Sequence, residues 1–520
     1  MNAQVQPTAD APLEAALFEP VIAAVKTHGN ALRSIPGVLG VRPGLRMAGG
    51  ELTPDPVIVV LTQPGGRVGD LPMEVDGLSI QVREAGPLEI VEGLSPLSMW
   101  EGLLPEAIPL IHYTPPDPTE VALAEIRANA ITCHVGPDSG WATLKPFLEV
   151  AATSLTVAMY EFDAEHIIEA MTHLGAERPI RLNMILQVSS NDQSIEAALR
   201  ESWGSRLDFA RAVISGPQRI FNSAYHTKVA VRDSKAIWLS SGNWSPNSQP
   251  MIIAGDEPFL YRKGNREWHV IIENEALAQM YEKFILHDMR QAREAGTPEA
   301  AVEMPDLLLP LSALEPEAAL IQDHPFTART FAASGRRVRV MPLLSPDNYA
   351  HEILKLIQAA ERNLYLQFSY IRQPSSEVFD EIITTIAGKM QAGLDVRILV
   401  SNNQKTEHTE RLVGVRGWRP EMIRRQTSRM HNKGILVDGK IAVVGSHNWS
   451  SDGTQYNRDA SLVFYSRPIA RYFKDVFLFD WDNLSKPVGS QPEVTPMLAP
   501  EMGSIPAGMV RISWRDWYDE

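Results

Sequence analysis

The chain has 520 residues, of which 44% are hydrophobic and 21% charged, with a formal net charge of -15. That length predicts several domains, and the balance is that of a globular protein with apolar mass for more than one core. The acidic excess argues against a protein that coats nucleic acid, although one groove can carry its own local charge.

In chain order, residues 1–10 are expected to be disordered. The acidic start lacks the basic and apolar regions of a secretion signal. No stretch approaches the ~20 apolar residues of a membrane span, and the single cysteine, Cys133, fits a reducing compartment and reads as a buried small hydrophobe. The expected location is the cytoplasm. Residues 11–100 read as a small α/β module. "LEAALFEPVIAAVKTHGNAL" has helical spacing, and "DPVIVVLTQ" and "GLSIQVRE" read as strands. No histidine falls between His28 and His112, so an accessory or docking role is expected. Residues 101–129, rich in proline and acid, read as a linker.

From 130 onward the chain repeats itself. "LEVAATSLTVAMYEF" matches "IQAAERNLYLQFSYI", and "IRLNMILQVSSN" matches "VRILVSNNQ". Each pair is an apolar strand preceded by a helix end or followed by a polar loop. Residues 130–295 and 336–485 therefore form two equivalent α/β halves, joined by a linker at 296–335. The Pro-rich tail, 486–520, is expected to cover a surface.

The strongest repeat is "YHTKVAVRDSKAIWLSSGNWS" against "MHNKGILVDGKIAVVGSHNWS". His226, Lys228, Asp233 and Asn243 recur as His431, Lys433, Asp438 and Asn448, with His to Asn 17 residues apart in both. "GNRE" and "YNRD" then place Glu267 and Asp459 in equivalent positions, 41 and 28 residues after their histidines. Residues i and i+2 of a strand share a face, so each His-Lys pair points one way. Asp233 and Asp438 lie at an odd offset and are expected to be the more structural members of the set. Asn243 and Asn448 follow an apolar run and belong at strand ends, where loops carry function.

Lysine at neutral pH has no lone pair, so this pattern makes a poor metal site, and neither metal nor cofactor is expected. Two ammonium groups and two amides suit an anion with several oxygens, such as a phosphodiester. Two imidazoles then supply a nucleophile and an acid, and Glu267 and Asp459 each orient a histidine through its other ring nitrogen. The candidate catalytic residues are His226, Lys228, Asp233, Asn243, Glu267, His431, Lys433, Asp438, Asn448 and Asp459.

On these repeated H-x-K-x4-D motifs and their trailing Asn segments, residues 130–485 resemble the phospholipase D superfamily. The resemblance implies two α/β sandwich halves with pseudo-twofold symmetry, both motifs meeting at one cleft, and a metal-independent phosphohistidine mechanism. It makes His226 the nucleophile and His431 the general acid. One departure is visible: Ser240-Ser241-Gly242-Asn243 stands where the second copy has Gly445-Ser446-His447-Asn448. Residues 30–90 are faintly similar to a small module that precedes some bacterial trypsin-like domains.

Two features bear on the substrate. From Lys405 to Lys440 there are nine basic and four acidic residues, a local excess that suits a nucleic-acid backbone or an anionic lipid surface. Trp238, Trp244, Phe259, Trp418 and Trp449 lie near the motifs; Trp244 and Trp449 occupy equivalent positions and are expected in the core. Ser241, Ser446, Arg424, Arg425 and Trp418 are the candidate substrate contacts. The expected function is cleavage of a phospholipid phosphodiester, either by hydrolysis or with headgroup transfer to another alcohol. A nuclease is the alternative, and a non-catalytic phosphate-binding scaffold the third. The expected partners are the substrate and a membrane surface touched peripherally. With both motifs in one chain, a monomer is expected.

Overall fold

The computed structural model describes residues 18–48, 51–62, 68–85, 111–187, 192–252, 264–296, 306–310, 326–331, 337–401, 404, 406–488, 497–499 and 505–512. The expected disordered start and Phe259 lie outside them.

The N-terminal module comprises α1 (Glu19–Arg33), β1 (Val38–Ala48), β2 (Glu51–Thr62), β3 (Glu74–Val75) and β4 (Leu78–Glu84), with sheet order β1-β2-β4-β3. Val21, Ala24, Val25 and Leu32 recur at helical spacing and bury one stripe of α1 against Val41, Ile58 and Val60.

The first half runs β5 (Ile126–Ala128), β6 (Ile131–Gly136), α2 (Gly140–Glu149), β7 (Ser154–Met159), α3 (Glu165–Glu177), β8 (Arg181–Leu186), α4 (Asp192–Trp203), β9 (Leu207–Arg211), β10 (Lys228–Arg232), β11 (Ala236–Ser240), β12 (Glu267–Glu273) and α5 (Glu275–Ala295). Then come β13 (Leu307–Pro310) and β14 (Arg329–Phe331). The second half runs β15 (Val338–Ser345), α6 (Tyr349–Gln358), β16 (Asn363–Phe368), α7 (Glu377–Gln391), β17 (Asp395–Val400), α8 (Thr406–Gly414), β18 (Ile423–Gln426), β19 (Lys433–Val437), β20 (Ile441–Gly445), α9 (Ser451–Gln455), β21 (Asp459–Tyr465), α10 (Arg467–Asn483) and β22 (Ser485–Pro487). The tail adds β23 (Met497–Leu498) and β24 (Met509–Ile512), which flank β13 in a small sheet.

The two large sheets share one topology. Order β6-β12-β11-β10-β7-β8-β9 in the first half corresponds to β15-β21-β20-β19-β16-β17-β18 in the second. β7, β8 and β9 are parallel and joined through helices, whereas β10, β11 and β12 form an antiparallel meander. This is the expected α/β architecture of two equivalent halves.

The segments expected to be linkers do more than connect. β5, which precedes the first half, pairs with β15 of the second, with Ala128 opposite Val338. β14, which precedes the second half, pairs with β6 of the first, with Arg329 opposite Cys133. Each half therefore lends the other an edge strand. Three-residue strands leave no periodic signal in the sequence, which is why both segments read as connectors.

Helices cover the outer sheet faces. Phe147, Ile167, Met171 and Trp203 pack on Val157 and Met184 in the first half, and Ile353, Phe379, Ile382 and Ile386 on Leu366 and Ile398 in the second. The inner faces, with α5 and α10, form one shared core. There Trp268 stacks on Phe473 with ring centroids 4.6 Å apart. Trp268 also occupies the space of a missing side chain at Gly434, where a Cβ would come within 2.4 Å of its ring. The equivalent residues, Ala460 and Val229, reverse the sizes. Among the described residues no helix is long and apolar enough to cross a membrane.

The N-terminal module is held on the second half through the buried Glu410 of α8. Its carboxylate accepts from Arg42 at 2.8 Å, Arg83 at 2.6 Å and the Leu45 N–H at 3.3 Å. Burial pushes the Glu410 carboxyl up, but Arg42 and Arg83 outweigh it and hold it below the usual carboxylate range.

Candidate active site

Each motif histidine stands two residues before its lysine, which opens the strand β10 or β19. The backbone there is tied to the opposite half. The His226 N–H donates to the Arg458 carbonyl at 2.7 Å, and the His431 N–H to the Arg266 carbonyl at 3.2 Å. Both arginines are clamped in turn by carboxylates from both halves. Arg458 binds Asp288 at 2.8 Å and Asp347 at 2.6 Å; Arg266 binds Asp480 at 3.0 Å and Asp138 at 2.5 Å. The Arg of each repeated Asn-Arg-acid segment is thus a buried fastener between halves.

That fastening brings the two motifs face to face. The His226 and His431 rings have centroids 6.3 Å apart. The carboxylates are exchanged between halves: His226 Nδ1 lies 2.7 Å from Asp459 Oδ1, and His431 Nδ1 lies 2.7 Å from Glu267 Oε1. With the proton on Nδ1, each ring turns Nε2 toward the space between the motifs. Burial pushes the Glu267 carboxyl up, but His431, Lys433 and the Ser241 hydroxyl outweigh it and hold it below the usual range. Burial likewise raises Asp459, and His226, with help from Lys228, brings it below.

Lys228 Nζ donates to the His226 carbonyl at 2.8 Å and sits 4.8 Å above the Tyr160 ring, which meets His226 edge-on. Lys433 Nζ donates to the His431 carbonyl at 2.6 Å and lies 2.8 Å from His431 Nε2. Asn243 Nδ2 donates to Glu161 at 2.9 Å. The Oδ1 atoms of Asn243 and Asn448 are buried with no hydrogen-bond partner among the described residues. Histidines, lysines, asparagines, Glu267 and Asp459 therefore converge. Among the described residues no three His, Cys, Asp or Glu side chains gather as metal ligands.

Several expected site residues make other contacts. Ser241 and Ser446 were expected to touch substrate; their hydroxyls instead donate to Glu267 at 2.5 Å and to Asp459 at 2.7 Å. Asp233 and Asp438 follow the far ends of β10 and β19 in left-handed turns, with φ of 56° and 55°. Asp233 accepts the N–H groups of Ala152, Thr153 and Ser154, and Asp438 those of Glu361, Arg362 and Asn363. These aspartates pin the chain entering β7 and β16 and take no part in the cleft. Both lowered carboxyls reflect those N–H donors overcoming the effect of burial.

Trp418 is 2% exposed and donates its Nε1–H to the Ile383 carbonyl at 3.0 Å, so it is a core residue and cannot meet a ligand. Arg424 and Arg425 are neighbours on β18 and point to opposite faces. Arg424 lies over Trp481 and donates to the Ser485 carbonyl, while Arg425 donates to the Gln404 carbonyl. The basic run is dispersed: Arg416 pairs with Asp380 and Arg419 with Glu421, and Arg429 binds Asn247. A charge count along the chain carried no information about these directions. Trp238, Trp244 and Trp449 are fully buried. Tyr160 and Glu161 escaped the sequence reading because the second copy has Ser369 and Tyr370 there.

A family model described as cardiolipin synthase, PLD-like domain, matches residues 144–289 and 353–481, more than half of the chain. A cardiolipin synthase of Listeria monocytogenes is 25% identical over 162 residues, which cover 29% of this chain and 32% of that protein. A mitochondrial cardiolipin hydrolase of Xenopus tropicalis is 26% identical over 141 residues, 27% of this chain and 64% of that protein. The match thus spans about a third of the length of the Listeria relative. Among solved structures, phosphatidylserine synthase of Haemophilus influenzae aligns with a TM-score of 0.46 and 12% identity, covering 69% of this chain and 89% of that one.

Proposed function

This chain belongs to the cardiolipin synthase, PLD-like domain family, and from that premise we propose that it cleaves a phospholipid phosphodiester through a covalent phosphohistidine. The observation that carries the reading is the pair of facing imidazoles, each backed by a carboxylate of the opposite half.

In this reading the phosphate enters between the motifs. Its oxygens draw Lys228, Lys433 and the two asparagines, which stabilise the charge that builds in the transition state. His226 Nε2 attacks phosphorus, and the bond to the leaving alcohol breaks as His431 Nε2–H protonates that oxygen. Asp459 stabilises the developing charge on His226, and Glu267 keeps His431 protonated. His431, now neutral, takes a proton from water or from a second alcohol. The resulting oxygen attacks phosphorus, the N–P bond breaks, and His226 leaves neutral. Water gives hydrolysis; an alcohol gives transfer of the phosphatidyl group.

Two observations support a phospholipid substrate over nucleic acid. Of the relatives named above, one is by its name a cardiolipin synthase and one a cardiolipin hydrolase. Five arginines of the basic run that would grip a polynucleotide, Arg416, Arg419, Arg424, Arg425 and Arg429, are engaged in ion pairs or hydrogen bonds within the protein. Contact with a membrane surface without insertion, and function as a monomer, belong to the same proposal. One side-by-side assay tests it: purified protein on phospholipids and on single- and double-stranded DNA and RNA, with His226→Ala as control. Release of headgroup or of a transferred phosphatidyl product, lost in the variant, is expected. Nucleic-acid cutting lost in the variant, with no lipid turnover, would promote the nuclease.

A further inference from the structure

Each half carries a further buried imidazole that the repeated motif does not account for. His269 Nδ1 is 2.6 Å from Ser240 Oγ, and His447 Nδ1 is 2.7 Å from Ser461 Oγ. The two rings occupy different places in the repeat. His269 stands two residues after Glu267, where the second half has Ser461. His447 stands just before Asn448, where the first half has Gly242.

Carboxylate length accounts for that difference. A Cβ on Gly242 would stand 2.7 Å from the Glu267 carboxyl carbon, so the first half has no room for a side chain there. Asp459 is one methylene shorter than Glu267, and a large side chain fits in the equivalent place. The donors also differ. Glu267 receives three: Ser248 and His431 on Oε1 and Ser241 on Oε2. Asp459 receives His226 and Ser446, both on Oδ1. The second half has Gly453 where a second serine would correspond to Ser248. Asp459 Oδ2 is buried with no donor among the described residues, and His447 Nε2 is buried with no acceptor among them.

His447 is 1% exposed, and its ring lies flat on Tyr349, with centroids 3.5 Å apart and planes within 5°. The charged groups around it are Asp459, His226, Arg458 and Lys228. Burial pushes the imidazole down to about 3, with Asp459 opposing and the three cationic groups assisting. It is therefore neutral near pH 7. Ser461 Oγ is within hydrogen-bond reach of Nδ1, and in the tautomer where that hydroxyl donates, the one imidazole proton sits on Nε2.

We propose that His447 is a positioning residue: its Nε2–H serves Asp459 Oδ2 through one bridging water and so holds Oδ1 against His226. His226 then shares its carboxylate with a third imidazole, whereas His431 has Glu267 without one. This role rests on the function proposed above.

Three variants of the full chain test it: His447→Phe, which keeps a ring on Tyr349 but has no N–H; His447→Gln, which restores a donor; and His447→Gly, which copies the first half. Each is assayed as kcat/KM on a soluble aryl phosphodiester between about pH 5 and 9, with melting temperature alongside. His447→Phe is expected to lower kcat about tenfold or more with little change in KM. His447→Gln should recover most of the loss, and His447→Gly should behave as Phe does. A Phe variant with wild-type kcat overturns the role, as does equal loss in Phe and Gln that tracks melting temperature. A wild-type protein without turnover on any phosphodiester would overturn the function itself and this role with it.

Discussion

Glu267→Gln probes the exchanged carboxylates most directly. The glutamine is isosteric and its amide oxygen still accepts from Ser241 or Ser248, so little packing is lost. What disappears is the negative charge, whose Oε1 is 2.7 Å from His431 Nδ1. Two unit charges about 4 Å apart attract by about 4 kcal/mol at an effective dielectric near 20. At about 1.4 kcal/mol per decade, that favours the His431 imidazolium by roughly three powers of ten. The estimate falls within the 10²–10⁴ typical of general acid catalysis. His431 is the proposed acid for the leaving oxygen, so the loss must depend on the leaving group. The assay is the rate of the first turnover on two diesters. An alkyl ester, whose alkoxide cannot leave unprotonated, should slow about 10³-fold, and a nitrophenyl ester by about tenfold at most. Asp459→Asn serves the attacking histidine and should slow both esters alike. Equal losses on both esters in Glu267→Gln would refute the exchange of roles, as would leaving-group dependence confined to Asp459→Asn.

Further outcomes follow from named contacts. Glu410→Ala strands Arg42 and Arg83 without their shared carboxylate and should weaken the seating of the N-terminal module by about 3–5 kcal/mol, seen as early proteolysis before residue 111. Because the folded Glu410 carboxyl is depressed, its contribution is complete above about pH 4.3 and is lost as pH falls through the lower folded value. Urea melts across that window should show the wild-type module releasing in acid and Glu410→Ala insensitive there. Asp438→Ala removes the acceptor of three backbone N–H groups and should cost about 1–3 kcal/mol in a denaturant melt. Below its melting range that variant should keep its KM. Trp418→Ala should cost about 3–5 kcal/mol as a core truncation, again with substrate affinity intact.

The sequence made the repeat legible because equal spacings survive in one dimension. His226 with His431, Lys228 with Lys433 and Asn243 with Asn448 could be aligned residue by residue, and the strand period put each His with its Lys. The carboxylates' assignment was not legible. Spacing within a half says nothing of contacts between halves, and the exchange of Asp459 and Glu267 is such a contact. The partners of Ser241 and Ser446 were hidden for a related reason: a serine two residues before the repeated asparagine reads as a ligand contact until the carboxylate that its hydroxyl meets is seen. Trp418 and the arginines of β18 failed on direction, since neighbouring strand residues point apart and a loop tryptophan gives no period. The arginines of the Asn-Arg-acid segments were visible as a repeat, but only burial shows that they fasten the halves.

The reciprocal edge strands limit how this chain can be divided. A cut near residue 300 would yield two fragments, each carrying a strand that belongs on its counterpart's sheet. Expressed singly, each fragment would present an open sheet edge on β6 or β15, the kind of surface that invites aggregation. Produced together, the fragments would be held by exchanged strands as well as by the shared core, like two hands with fingers interlaced. Excising either half would require a new cover for that edge, and would leave its motif histidine without the carboxylate and facing imidazole of the other half. Joining the pieces in the opposite order would keep both strands with the sheets they complete.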